Sequence, residues 1–397
     1  MIKQRDLPPL SLYIHIPWCV AKCPYCDFHS LARQGPLPEA SYVGALLADL
    51  DAAEESLQGR AVHTIFFGGG TPSLFSPSAI NEILAGINRR IPLPCSCEIT
   101  LEANPGTVEA GRFRAFREAG VNRLSLGIQS LHDPFLKALG RIHDSREAQA
   151  AIDQAATSGF RSFNIDLMYG LPGQSAEQAA ADVHQALSAK PLHLSLYELT
   201  IEAHTAFAHK PPILPNEEER EAIEAAVQGA AASAGLERYE VSAYARTGFR
   251  CAHNLNYWEF GDYLGLGAGA HGKLSTRQGV VREVRAPDPE RYMSGIDRIL
   301  SRRVLSKADL VFEFLLNALR LTEGFSAQLF AARTGCDFSE YASRWQNAAA
   351  QGLLLVDAER VRATPLGRRF LDSLLSSLLT SADPAPMPPG EPRHALG

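Results

Sequence analysis

Residues 11–28 read SLYIHIPWCVAKCPYCDF. A β-rich apolar run, Leu12 to Ile16, leads directly into Cys19, Cys23 and Cys26, spaced C-x3-C-x2-C. Three thiolates this close can hold three irons of a cubic [4Fe–4S] cluster, whereas an electron-transfer cluster takes four cysteines. The next cysteines are Cys95 and Cys97, so one iron is left open to a small molecule. Zinc or unused thiols are the plainer readings, but zinc knuckles bring two ligand pairs with histidines at matching spacing.

Working outward, short β-rich runs alternate with longer amphipathic stretches as far as Thr200. Strands are expected at Ser11–Ile16, His63–Phe67, Glu98–Glu102, Arg123–Ile128, Ser162–Leu167 and His193–Thr200. Helices are expected at Pro38–Leu57, Pro77–Arg90, Val108–Ala119, Arg146–Ser158 and Ser175–Ser188, with another at Asn216–Ala234. This alternation predicts parallel pairing with helical crossovers. The strands read as apolar on both faces, as buried parallel strands do. The fold class is therefore α/β, an incomplete (βα)6 TIM-like barrel, with Glu240–Tyr244 and Gly265–Gly272 expected to close over it.

A second region is expected from about Pro287, with helices at Ala308–Leu321, Ser326–Thr334, Asp337–Ala350 and Pro365–Leu379. A hairpin over Leu353–Val361 between two of these helices predicts a small helical, winged-helix-like module. The expected domains are thus 1–286, 287–380 and a Pro-rich disordered tail, 381–397.

The chain has 397 residues and a net charge of −6, which argues against an electrostatic grip on nucleic acid. No apolar run reaches membrane-spanning length, and the N-terminus lacks signal-peptide features. Cluster thiolates favour a reducing interior, so the expected location is the cytoplasm.

Barrel chemistry gathers at the C-terminal ends of the strands. The first expected strand runs into the cysteines and the second into Gly68-Gly69-Gly70-Thr71-Pro72. The third ends at Glu102-Ala103-Asn104-Pro105, the fourth at Gln129, the fifth at Asp166 and the sixth near Thr200. A cluster with one open iron can bind a ligand through an amine and a carboxylate, and S-adenosylmethionine has both. The glycines let backbone carbonyls approach an ammonium group. Glu102 and Asp166 can accept from ribose hydroxyls or the amine, Gln129 can donate and accept, and Arg141 can pair with the carboxylate. Tyr25 offers an aromatic edge near the adenine. Taken singly, each of these residues could instead be a turn, a satisfied buried carboxylate or a surface ion pair.

These residues carry a resemblance. YIHIPWCVAKCPYC, FFGGGTPS, LEANPGT, NRLSLGIQS, LGRIH, FNIDLMYGLPGQ, HLSLYELTIE, HNLNYW and GLGAGAHG together resemble the radical S-adenosylmethionine superfamily. Within it the chain is similar to the oxygen-independent coproporphyrinogen III oxidase group, and most of all to its HemW branch of haem chaperones. The resemblance implies that Cys19, Cys23 and Cys26 ligate the cluster. It puts Tyr13, Tyr25, Gly69, Gly70 and Thr71 beside S-adenosylmethionine, with Glu102 and Arg141 at its methionyl end. Gln129 and Asp166 then meet the ribose, and Met168 and Thr200 flank the adenine. Two departures set the chain apart from the oxidase. Phe28 stands where the oxidase pattern has a further cysteine, and only eighteen residues precede Cys19.

His253-Asn254-Leu255-Asn256-Tyr257-Trp258 places a histidine beside two aromatics, which can offer haem an axial nitrogen and a flat apolar surface. A locally hydrogen-bonded histidine with core aromatics fits the residues equally. The HemW resemblance implies haem at His253, Asn254, Tyr257 and Trp258. The expected function is a haem chaperone that binds haem, a [4Fe–4S] cluster and S-adenosylmethionine and passes haem to acceptor haemoproteins, respiratory ones among them. A homodimer and peripheral membrane contact through the acceptor are compatible with it. The rival is a radical oxidoreductase acting on coproporphyrinogen III or another tetrapyrrole, so whether the chain is an enzyme stays open. Cys251 is a candidate second contact, though a lone cysteine reads as inert. His271 could face the rim or simply pack there.

Overall fold

The computed structural model describes residues 7–33, 35–107, 111–357 and 359–379. The tail expected to be disordered lies outside them, as do the first residues of the helix expected from Val108. The strands of the main sheet are β1 Leu10–Ile16, β2 Val62–Gly69, β3 Glu98–Ala103, β4 Arg123–Gln129, β5 Ser162–Tyr169 and β6 His193–Glu198. Beyond these come β7 Glu237–Arg238, β8 Ala243–Ala245, β9 Asp262–Leu266, β10 His271–Thr276, β11 Gly279–Arg285 and β12 Ile299–Val304. Their order is β12-β11-β10-β9-β1-β2-β3-β4-β5-β6-β8-β7. β1 to β6 pair in parallel. The crossovers between them include α1 Glu39–Leu57, α2 Pro77–Arg90, α3 Arg112–Glu118, α4 Ser145–Thr157 and α5 Ala176–Leu187, and α6 Glu217–Ser233 follows β6. Local chemistry sets several starts. Ser76 accepts from Ala79 N–H ahead of Pro77, and Asp144 and Ser175 form capping boxes with Glu147 and Gln178.

Two expectations need correction. The later segments do not close the barrel; they extend its sheet at both edges. β9 adds in parallel to β1, β8 adds antiparallel to β6, and the series ends at β12 and β7. The strands are also not apolar on both faces. Leu12, Ile14, Ile65, Phe67, Leu101, Leu124, Leu126, Ile165, Leu167, Leu194 and Leu196 pack with the helices in one large core. The alternate positions hold buried Ser11, His15, Thr64, Thr100, Arg123, Ser125, Asn164, His193 and Ser195. Strand side chains alternate with a period of two, so these polar groups share the concave face. They hydrogen-bond one another there. Asn164 Nδ2 donates to Ser125 Oγ at 2.8 Å, and His193 Nδ1 lies 2.6 Å from Asn164 Oδ1.

From Leu305 the chain builds a second core around Phe314, Phe325, Phe330 and Trp345, joined by Phe260 and Val280. Its main helices are α8 Lys307–Ala318, α9 Ala327–Thr334 and α10 Ala342–Ala350. An antiparallel sheet of β13 Phe325–Ser326, β14 Leu354–Val356 and β15 Arg360–Ala363 accompanies them. The hairpin expected near Leu353–Val361 is β14–β15.

One buried charge cluster ties the added strands to the barrel. Asp262, fully buried, accepts from Arg60 Nη1 at 2.6 Å and from the Ser275 backbone and hydroxyl at 2.8 and 2.9 Å. Lys273 Nζ lies 3.7 Å away and donates to Phe260 O. Burial pushes the lysine down to about 8. Removing one member of such a cluster leaves buried charge uncompensated. Asp262→Asn is therefore expected to cost about 3–5 kcal/mol of folding stability, read as a lower urea midpoint with an unchanged slope.

Candidate functional site

The cysteine loop leaves β1 at the C-terminal end of the parallel strands. Trp18–Cys19 pairs with Leu31–Ala32 in a short parallel ribbon, which pins both ends of the loop. Inside it Cys26 N–H donates to Cys23 O at 3.1 Å. All three cysteines are free thiols, and burial pushes Cys26 up to about 11. Arg141 stands beside them. Its Nη1 donates to Cys23 Sγ at 3.6 Å, and its Nη2 donates to Asn104 Oδ1 at 2.6 Å and Gly127 O at 2.7 Å. The guanidinium sets a fixed positive charge beside the Cys23 sulfur. Among the described residues no three metal-binding side chains converge on one ion. A cubic cluster does not need that, because each thiolate takes its own iron. Three free thiols on a pinned loop beside one fixed cation thus suit the cluster.

The glycine run is set by contact. Gly70 N–H donates to Ile16 O and Thr71 N–H to Trp18 O, both at 2.8 Å. A Cβ on Gly70 would lie 2.5 Å from Trp18 O, and one on Gly69, at φ +110°, 2.5 Å from the His15 ring. The run therefore lies flat against β1 and the start of the cysteine loop. Thr71 is buried, and its hydroxyl accepts from Asn104 Nδ2 at 3.0 Å. Asn104, which the residue patterns did not single out, is thus the link from Arg141 to the glycine run. Its position between Glu102 and Pro105 was the available signal.

Glu102, near the end of β3, and Asp166, on β5, stand near each other. Burial and the Asp166 carboxylate push Glu102 up to about 8, opposed by a hydrogen bond from the Gly69 backbone. Asp166 is not at its strand end as expected; β5 runs on to Tyr169. It accepts from Asn164 Nδ2 at 2.8 Å and Ser125 Oγ at 3.1 Å, one layer below the rim. The two carboxyls feel each other across β4, and a positive charge in the hollow would favour their ionised forms. Gln129 has φ +69° and follows a register shift against β5. That irregularity brings its Nε2 within 3.2 Å of where a Gly127 Cβ would stand, and Arg141 Nη2 within 3.6 Å of the same point. Tyr25 and Met168 meet in one apolar cluster with Phe135, Leu139, Leu171 and Phe207. Tyr13 lines the barrel beside Gly68. Thr200 stands apart, exposed and bonded to Glu202.

The segment His253–Trp258 lies at the opposite end. It forms α7 Ala252–Trp258. The Glu98 carboxylate, at the start of β3, accepts from Ala252 N–H at 3.2 Å and His253 N–H at 3.0 Å, which holds the helix N-terminus against the N-terminal ends of the strands. His253 is 1% exposed, and burial lowers it to about 3, so the ring is neutral. Its Nδ1 lies 2.8 Å from Thr64 Oγ1 and its Nε2 3.0 Å from the Tyr257 hydroxyl. Thr64 donates its one hydroxyl proton to Ser11. The hydrogen-bond network therefore assigns the ring proton to Nδ1 and the lone pair to Nε2, with Tyr257 donating to it. A histidine whose far N–H is anchored this way is oriented as metal-binding histidines are. Asn254 Oδ1 and Trp258 Nε1 are buried without a hydrogen-bond partner among the described residues, as is Nε of Arg320, whose guanidinium lies 4.2 Å over the Trp258 ring. Orphaned buried polar atoms are costly and mark a place where a ligand can supply partners. The Cys251 thiol donates to Glu98 at 3.5 Å and is pushed up to about 12 by burial, so it is held protonated.

The sequence pattern of the Radical SAM superfamily matches residues 13–186, and that of the HemN C-terminal domain matches residues 305–370. A protein named heme chaperone HemW in Escherichia coli is 49% identical over 375 residues, covering 94% of this chain and 99% of that protein. The heme chaperone HemW of Haemophilus influenzae is 46% identical over 94% of this chain and 99% of its own length. A mitochondrial radical S-adenosyl methionine domain-containing protein 1 from Bos taurus is 36% identical over 93% of this chain and 87% of its own. The solved structure of coproporphyrinogen III oxidase (HemN) from Escherichia coli superposes with a TM-score of 0.79 at 21% identity, covering 94% of this chain and 90% of that one, a likeness of fold. With the cysteine rim and the barrel in place, these matches establish that the chain belongs to the radical S-adenosylmethionine superfamily, in its HemW family.

Proposed function

We propose that the protein is a haem chaperone. It holds a [4Fe–4S] cluster on Cys19, Cys23 and Cys26, binds S-adenosylmethionine along the rim, takes haem at α7 and passes it to acceptor haemoproteins. The observation that carries this reading is the nearly end-to-end match, at 49% identity, with a protein named heme chaperone HemW. The anchored tautomer of His253 supplies a means: Nε2 would hold the haem iron in place of its hydrogen bond from the Tyr257 hydroxyl. Trp258 Nε1 and Arg320 Nε are then donors for the acidic edge of a porphyrin. Three free thiols suit a reducing cytoplasm. A homodimer, and membrane contact made through the acceptor, remain compatible with this reading. The oxidase alternative draws on a likeness of fold, and Phe28 stands where its further cysteine would be.

On the rim, Glu102, with Asp166 one layer below it, would receive the cationic end of S-adenosylmethionine, Arg141 its carboxylate, and Tyr25 with Met168 its adenine. Arg141 also braces the thiolates. When bound, the cluster and S-adenosylmethionine supply one-electron chemistry.

Haem titration followed by Soret absorption is expected to saturate near one haem per chain; no saturable binding would defeat the chaperone reading. His253→Ala should shift the Soret band of the bound haem and weaken binding. Tyr257→Phe should tighten it by roughly 1 kcal/mol, since Nε2 then loses a competing hydrogen bond.

A pH effect follows from Glu102. With its carboxyl raised to about 8, the free protein holds it protonated at neutral pH. A bound cation favours the carboxylate, so binding releases a proton and affinity for S-adenosylmethionine rises between about pH 6 and pH 8. Calorimetry in two buffers of different ionisation heat should detect that proton, and Glu102→Gln should remove the buffer dependence.

A further inference from the structure

The wall of the barrel hollow is uneven. Along β4 to β6 it is a hydrogen-bonded polar surface of Ser125, Asn164, Asp166 and Ser195. Along β1 and β2 it is a file of rings. Tyr13 and Phe66 stack at 6.4 Å between centroids with an interplanar angle of 22°. Phe66 meets His253 at 5.0 Å, and His253 meets Tyr257 at 4.8 Å. Strand register builds the file. Tyr13 and Phe66 are paired neighbours on β1 and β2, and His253 bonds to Thr64, two residues before Phe66 on the same face.

The upper end is tied to the cysteine loop. His15 Nε2 faces a carbonyl, His29 O, at 2.8 Å, so it carries the proton and Nδ1 accepts from the Tyr13 hydroxyl at 3.1 Å. The His15 ring lies 5.9 Å from the His29 ring, tilted by 31°, and His29 is three residues beyond Cys26. The file therefore runs from His29, on the loop that carries the cysteines, through the barrel to the histidine and tyrosine of α7.

We propose that Tyr13, Phe66 and His253 form a one-electron conduit between the cysteine rim and the haem motif, by which the rim sets the oxidation state of bound haem iron. The proposal rests on the reading that haem is held at His253. One electron passes from the reduced cluster, which goes from the 1+ to the 2+ state, to ferric haem, which becomes ferrous. No bond breaks and no proton moves. A low-potential one-electron donor of the reduced flavin or ferredoxin type replenishes the rim.

The test uses full-length protein with its cluster reconstituted and reduced, freed of excess reductant, then mixed anaerobically with ferric haem. Soret and visible bands report the iron. In the wild type one haem should become ferrous per reduced cluster. Phe66→Leu should slow this by an order of magnitude or more, with cluster content and haem affinity unchanged. Phe66→Tyr should restore the wild-type rate and guards against a packing defect. A wild-type rate in Phe66→Leu, or bound haem that stays ferric in the wild type, would overturn the conduit alone. Failure of the wild type to take up haem would bring down the chaperone reading and the conduit together.

Discussion

The two-residue period of the parallel strands is the constraint on which the rest depends. In β1 to β6 one phase is Leu, Ile, Val and Phe and is consumed by the helices. The other phase is mostly Ser, Thr, Asn, His, Arg and acidic residues, and these can be buried only if the concave side remains a hydrogen-bonded hollow. A one-residue slip in any strand would put these groups into the helix-facing core. The same phase carries Tyr13, Phe66, Glu102 and Asp166, so the ligand rim and the barrel lining are one set of positions read at different depths.

The hollow has two working ends. At the C-terminal end, Arg141 and Asn104 lock the cysteine loop, the glycine run and β4 into one frame. At the other end Glu98 fixes α7 by its N-terminus and His253 reaches inward to Thr64. Thr64 and Gly69 are five residues apart on β2, about 16 Å at ~3.3 Å per residue. On the proposed reading, haem and cluster would be separated by the depth of the barrel, as suits a carrier whose cargo is not the substrate of its radical site.

Much of this was legible in the sequence because strand and helix signals are local. The six parallel strands and their helices lie within a few residues of their expected places, and the cysteines, glycine run, Glu102, Gln129 and Arg141 do gather at one rim. What could not be read depends on distant partners. The helix character of residues 252–258 gives no hint that a carboxylate over 150 residues earlier caps it against the barrel floor. β12, ILSRRV, is exposed throughout and has no buried phase to betray it. The polar lining reads as strand core from the sequence because each strand alone shows enough apolar residues for a buried run. Only the register across six strands reveals that its polar positions fall on one side.

The most direct test of a two-ended barrel is the distance between its cofactors. Pulsed dipolar EPR on protein carrying the reduced cluster and nitrosyl ferrous haem measures it without letting an electron cross. The account predicts a separation of about 15–20 Å, the depth of the strands between Thr64 and the rim. A separation short enough for haem to sit against the cysteine loop would contradict it and move the haem site to the rim.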